Sequence, residues 1–195
     1  MEQFSPPPPA PTGCGGSSEM KRADQLAPDS HERYTVIPRT LCFVSHDDEV
    51  LLLKGAPDKP LWPKRYNGVG GHVEPGEDVR TAALREIREE TGLSVTDLRL
   101  RGVIHVDMGE GDPGILLFVF TAISPTRAVK PSAEGRLEWV NWGHALELDL
   151  VEDLHVLLPR LRSMPPDAPP LFARYGYDEE DRLVIEFAKD AKLSH

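Results

Sequence analysis

The stretch Gly71-His72-Val73-Glu74-Pro75-Gly76-Glu77-Asp78-Val79-Arg80-Thr81-Ala82-Ala83-Leu84-Arg85-Glu86-Ile87-Arg88-Glu89-Glu90-Thr91-Gly92-Leu93 decides how this 195-residue chain is read. It opens as a glycine-rich turn and continues as a helix loaded with carboxylates. Val79, Ala83 and Ile87 recur every four residues with Ala82 beside them, which predicts one apolar face that buries against a sheet. Glu86, Glu89 and Glu90 then share another face. Glu86 meets Glu89 at i,i+3 and Glu90 at i,i+4, and each like-charge pair costs about 0.2 to 0.5 kcal/mol on an isolated helix. A divalent cation turns that repulsion into binding. Arg85 and Glu89 also form the i,i+4 ion pair of any solvated helix, so the wider spacing must separate this segment from that class. Gly71, Glu77, Arg85, Glu86, Glu89, Glu90 and Gly92, at these intervals, match by chance at about one start position in 10^9 at ordinary residue frequencies.

With aliphatic residues at 87 and 93, these positions fit G-x5-E-x7-R-E-U-x-E-E-x-G-U, where U is aliphatic. The pattern resembles the signature of the Nudix hydrolases and departs from it at no defining position. The resemblance spans residues 34 to 162 and implies an α/β fold, an α/β/α sandwich built on a mixed β-sheet. It also implies metal-dependent hydrolysis of a diphosphate linkage. Diphosphate esters carry negative charges that repel an attacking water, so catalysis needs metal ions that neutralise the phosphates and acidify that water. Hard oxygen ligands suit Mg2+ or Mn2+. By resemblance, Glu86, Glu89 and Glu90 supply them and the backbone carbonyl of Gly71 joins the shell. Arg85 then orients the carboxylates by ion pairing, with Glu77 in a similar supporting part. Gly68, Gly70, Gly71 and Gly76 are expected to take positive φ and approach phosphate closely. Gly92 is expected to cap the helix.

The length suffices for one domain with a substantial core. A formal charge of −10 argues against a broad grip on a nucleic-acid polymer or an anionic membrane, though not against a nucleotide. Cys14 and Cys42 are too few for a disulfide framework or a structural zinc site. No apolar run reaches membrane-spanning length, and the N-terminus lacks the segments of a signal peptide. A cytoplasmic protein is expected.

Residues 1 to 32, with prolines at 6 to 9 and a Gly/Ser run, are expected to be a disordered tail ahead of a domain over 33 to 162. Tyr34 to Ser45 and Glu49 to Lys54 read as hairpin strands around His46-Asp47-Asp48. Lys54 to Arg65 holds three prolines and reads as an irregular loop. Leu98 to Asp107, Gly114 to Ile123 and Arg136 to Trp142 read as further strands. Leucines from 146 to 161 space a helix over Gly143 to Arg162 that Pro159 should bend or end. Leu171 to Tyr177 and Leu183 to Phe187 read as a terminal hairpin within an extension over 163 to 195.

The signature specifies chemistry and leaves the leaving groups open. Tyr66-Asn67-Gly68-Val69-Gly70-Gly71 is similar to the corresponding segment of the branch that hydrolyses oxidised purine triphosphates such as 8-oxo-dGTP. There Asn67 would read the purine edge with its amide donor and acceptor; otherwise it supports the turn into Gly68. Glu152 and Asp153 correspond in position to a base-contacting acid pair of that branch, with Glu where the first acid is Asp; the plain reading is two helix-surface acids. Trp139 and Trp142 either stack on a base or fill core. Glu134 and Glu138, with Glu86, are candidates for a further ligand or general base. His72 is either a phosphate contact or an exposed loop residue. The expected activity is conversion of an oxidised purine nucleoside triphosphate to monophosphate and pyrophosphate. Hydrolysis of ADP-ribose or a dinucleoside polyphosphate, or nucleotide sensing without turnover, are the alternatives.

Overall fold

The computed structural model describes residues 34–58 and 62–188, so the tail expected over 1 to 32 lies outside the described residues. The elements are β1 (Val36–His46), β2 (Glu49–Gly55), β3 (Tyr66–Asn67), α1 (Val79–Thr91), β4 (Thr96–Val106), β5 (Gly114–Ile123), β6 (Gly135–Asn141), α2 (Leu154–Ser163), β7 (Leu171–Tyr177) and β8 (Leu183–Phe187). One sheet takes the order β3-β2-β1-β5-β4-β7-β8, with β6 also pairing β2. The β1/β5 and β4/β7 pairs are parallel and the others antiparallel, so the sheet is mixed, as expected. Among the described residues no helix is long and apolar enough to cross a membrane.

Side chains of a strand alternate between faces, and each face here receives one helix. On β1, Cys42 and Val44 join Leu51, Val69, Phe120 and the α1 residues Ala83 and Ile87. Leu41 and Phe43 point the other way, into a cluster with Ile104, Val119 and Leu154, Leu157, Leu158 and Leu161 of α2. This is the expected α/β/α sandwich. On β4 the alternation changes phase: Leu98 and Leu100 pack on the α1 side, whereas Ile104 and Val106 pack on the α2 side. A register shift between Leu100 and Gly102 supplies the extra residue. Arg101, at that bulge, is only 8% exposed, and it donates to the Thr121 hydroxyl at 3.0 Å and the Pro165 carbonyl at 2.9 Å.

Helix α1 is bounded by its own sequence. Asp78 accepts from the backbone N–H groups of Arg80 at 2.8 Å and Thr81 at 3.0 Å, satisfying two donors left over at the helix start. Gly92, at φ 76°, returns its N–H to the Arg88 carbonyl at 3.0 Å and ends the helix.

The segment leading into α1 fills a wedge. β1 pairs β2 only through Val44, Ser45 and His46, and below that point residues 67 to 73 run along β1 instead. The Cys42 and Val69 backbones exchange hydrogen bonds, Thr40 donates to the Gly71 carbonyl at 2.8 Å, and Val73 donates to the Pro38 carbonyl at 3.1 Å. The first signature glycine is thereby fixed to the centre of the sheet.

Two expectations are corrected. The helix expected over Gly143 to Arg162 is a 3-10 turn at Ala145–Glu147, a break, and then α2. The break occurs because Leu150 bridges Tyr66 and the Val151 N–H donates to the Tyr66 carbonyl at 3.0 Å, so tertiary pairing takes those groups from a helix. Pro159 neither starts nor ends α2 but sits inside it on the exposed side, where the carbonyl it deprives of a partner can be solvated. Of the four glycines expected at positive φ, only Gly70 (148°) and Gly76 (92°) adopt it. Gly68 and Gly71 are required for close packing instead: a Cβ on Gly68 would stand 2.9 Å from the Cys42 carbonyl oxygen.

Candidate active site

Arg85 is the hub of the signature residues. Its guanidinium meets both oxygens of Glu77, at 2.6 and 3.1 Å, in a bidentate pair. It also donates to Glu86 at 2.8 Å, Glu89 at 3.2 Å and the His72 carbonyl at 3.0 Å. The Arg85 hydrogen bonds, followed by the Glu74 N–H, hold the Glu77 carboxyl below the usual range. The Arg85 side chain is 22% exposed and that of Glu86 13%, whereas Glu89 at 61% reaches solvent. One arginine thus ties the loop before α1 to two carboxylates upon it.

Glu90 turns toward the sheet and accepts from the Gly70 N–H at 3.2 Å. Its charge and that of Glu86 both reach the buried Cys42 thiol, which burial first, then Glu90 and Glu86, push upward. Glu86 lies against Gly71: an added Cβ there would stand 2.7 Å from the Glu86 carboxyl carbon and closer still to one of its oxygens. The missing side chain of Gly71 is therefore what admits the carboxylate. Among the described residues, no three His, Cys, Asp or Glu side chains are gathered closely enough to hold an ion as they stand. The donor chemistry nevertheless fits a hard divalent cation: carboxylate oxygens on successive turns of α1, beside a Gly71 carbonyl that spends one lone pair on Thr40.

The residues expected to meet a base come together at the other end of the same segment. Asn67 accepts from the Gly68 N–H at 2.8 Å through its Oδ1, which is the turn-supporting role. Glu152 is exposed and pairs with Arg65 at 3.2 Å. Neither acid is a helix-surface residue, because α2 begins at Leu154. Asp153 in particular is largely desolvated, and burial lifts its carboxyl from 3.8 to about 6, against the pull of its own and the Leu154 backbone N–H. Below about pH 4 both folded and unfolded chains hold that proton. Between about pH 4 and 6 only the folded chain does, so this residue makes stability fall as pH rises through that window. Asp153→Asn is expected to gain on wild type across it, by up to about 3 kcal/mol once the carboxyl is ionised, since each pH unit is worth about 1.4 kcal/mol. Urea titrations of both proteins at about pH 4 and pH 7 check it; a constant difference contradicts it.

The remaining candidates are engaged elsewhere. Glu138 accepts from the Tyr66 hydroxyl at 3.1 Å and pairs with Arg136 at 2.9 Å. Trp139 donates to the Arg127 carbonyl and packs on the α1 side, and Trp142 packs on the α2 side. The Glu134 carbonyl accepts from Ala56, and His72 is exposed. Nothing in the local sequence of Thr40 marks it; only the pairing of β1 with the signature loop does. Tyr66, beside Asn67, likewise carries no mark of its bond to Glu138.

A model of the NUDIX domain matches residues 36–161. An uncharacterized Nudix hydrolase of Bacillus subtilis, YvcI, is 38% identical over 104 residues, which span 51% of this chain and 63% of that protein. The nucleoside triphosphatase NudI of Escherichia coli is 31% identical over 118 residues, covering 55% of this chain and 84% of NudI. Among solved structures, a MutT protein from Bacillus halodurans superposes with a TM-score of 0.66 at 26% identity, covering 78% of this chain and 97% of the other. With the signature on α1, the Arg85 hub and the mixed-sheet sandwich already in place, the chain belongs to the NUDIX family, and its domain is a Nudix hydrolase domain.

Proposed function

We propose that this domain is a metal-dependent pyrophosphohydrolase that converts a nucleoside triphosphate, an oxidised purine such as 8-oxo-dGTP above all, to the monophosphate and pyrophosphate. The observation that carries the reading is the carboxylate face of α1, braced by Arg85 and seated against the side-chain-free Gly71. Glu86, Glu89, Glu90 and the Gly71 carbonyl would hold Mg2+ or Mn2+. Bound there, the ion neutralises phosphate charge and acidifies the attacking water. Arg85 keeps Glu86 and Glu89 oriented without contacting substrate. Glu77 holds Arg85 in turn. Asn67, Glu152 and Asp153 place the base. Water adds to phosphorus, one phosphoanhydride bond breaks, and pyrophosphate leaves. The likeness to NudI, named a nucleoside triphosphatase, supports a triphosphate over other diphosphate compounds.

The test is pyrophosphate release with Mg2+ across 8-oxo-dGTP, dGTP, the other triphosphates, ADP-ribose and dinucleoside polyphosphates, ranked by kcat/KM, with phosphate counted separately. Preference for 8-oxo-dGTP by tenfold or more, about 1.4 kcal/mol, is the expected result. Preference for a diphosphate-linked compound moves the substrate class and leaves the metal face standing. Thermal stabilisation by nucleotide without any product converts the reading to a sensor.

A further inference from the structure

β8 (Leu183–Phe187) lies at one end of the sheet order, beyond β7, and among the described residues no strand pairs its outer side. Free sheet edges are normally blunted by shortness, lysine, proline or a bulge. The strand at the other end of that order, β3, is only two residues long. β8 has five residues, Leu183-Val184-Ile185-Glu186-Phe187, and its register with β7 runs without a break. No lysine, proline or glycine interrupts it. At the two ends of this hairpin, Ala188 donates to the Phe172 carbonyl at 2.8 Å and Asp178 donates to the Arg182 carbonyl at 3.0 Å. Hydrogen-bonded pairs alternate along an antiparallel ladder, so Val184 and Glu186 turn their backbone groups toward β7. Leu183, Ile185 and Phe187 turn theirs outward. The side chains of the same three residues rest half-buried against the α2-side cluster. The outer edge therefore offers three N–H and three C=O groups beside an apolar row.

We propose that β8 pairs with β8 of a second copy of this chain, antiparallel about a twofold axis through Ile185. That register makes three facing pairs, Ile185 with Ile185 and, twice, Leu183 with Phe187. Each pair exchanges two backbone hydrogen bonds, so every outward group is satisfied. Apolar side chains meet on the α2 side, and on the other face Val184 stands opposite Glu186. No like charges face each other, and Glu186 is already held by its own Arg174 at 3.4 Å. What selects a second copy over another extended peptide is the charge at the two ends of the strand. The turn before β8 reads Asp178-Glu179-Glu180-Asp181, and among the described residues Arg182 answers only Asp178 and Glu180. The chain after β8, outside the described residues, continues with Lys189 and Lys192. Antiparallel pairing directs each copy's lysines toward the acidic turn of the other, so both ends attract. A five-residue edge makes a small interface, and the association is therefore reversible and concentration-dependent.

Sedimentation velocity of the full chain from about 5 to 200 μM is expected to show the average mass rising from one copy toward two. Ile185→Pro removes an outward N–H and no bond to β7, and it should stay monomeric at every concentration. Ile185→Ala, which trims the same side chain but keeps the N–H, should still associate. A second measurement does not depend on how well the proline variant folds. Facing Cα atoms in a hydrogen-bonded pair lie about 5.5 Å apart, within disulfide reach, whereas diagonal neighbours at about 7 to 8 Å are beyond it. In a Cys14→Ser background, where the remaining Cys42 is buried, Ile185→Cys treated with a mild thiol oxidant is expected to form a covalent dimer. Val184→Cys, at a more exposed position, is expected not to. A wild type that is monomeric throughout overturns the pairing and leaves the edge to solvent. Association that Ile185→Pro leaves unchanged, or cross-linking of Val184→Cys as readily as Ile185→Cys, places the contact elsewhere and overturns it as well.

Discussion

Glu90→Gln is expected to lower kcat/KM roughly 100- to 1000-fold, about 2.7 to 4 kcal/mol of transition-state stabilisation, while leaving the fold intact. The separation of the two effects comes from what Glu90 touches. Its Oε2 accepts from the Gly70 N–H at 3.2 Å, and a glutamine carbonyl can accept the same bond. What the substitution deletes is the negative charge, on a helix face where three carboxylates would be needed to hold a divalent ion against the phosphates. The loss should be only partly rescued by raising Mg2+, because a neutral amide oxygen is a weaker partner for a hard cation than a carboxylate. Activity assayed over a range of Mg2+ concentrations, with circular dichroism and a melt as fold controls, checks this. Activity within about threefold of wild type, under 1 kcal/mol, contradicts the assignment of Glu90 as a ligand.

What could be read in advance was local in the chain. The signature lies within 23 residues, and helix geometry alone sends Ala83 and Ile87 to one side and the glutamates to another, so α1, its Gly92 cap and the Arg85–Glu89 pair followed from spacing. The strands followed from their β-branched and aromatic content, and β5, β7 and β8 begin and end where that content does. The departures all depend on partners distant in sequence. The Leu150–Tyr66 bridge cuts the expected helix before α2, the bulge at Arg101 turns β4 over, and the wedge between β1 and β2 holds Gly68 and Gly71 in extended contact. Asp153 reads as a surface acid because acids usually face solvent, yet it is desolvated by the packing at the start of α2.

Adjacent glycines should respond in opposite ways. Gly71→Ala is expected to fold with a melting temperature close to wild type and to lose about 10- to 100-fold in kcat/KM, the range typical of disturbing a metal ligand's support. Gly71 is not at positive φ, so alanine meets no backbone strain there. The obstacle is the Glu86 carboxyl group, whose carbon would stand 2.7 Å from the new methyl. A flexible side chain can swing away, and in doing so Glu86 leaves both Gly71 and its 2.8 Å bond to Arg85. Gly70→Ala has no such escape. Its φ of 148° is hostile to any residue with a Cβ, and the methyl would collide with the backbone carbonyl of Thr40. The strand β1 cannot yield without giving up its pairing to β5 and to the signature loop, so Gly70→Ala should destabilise by at least about 1 to 3 kcal/mol, the cost of one strained backbone position. Melts and kinetics on the two variants side by side decide it. If Gly71→Ala unfolds the domain while retaining specific activity in its folded fraction, Gly71 serves packing; if it stays folded and loses activity, its missing side chain exists to seat Glu86.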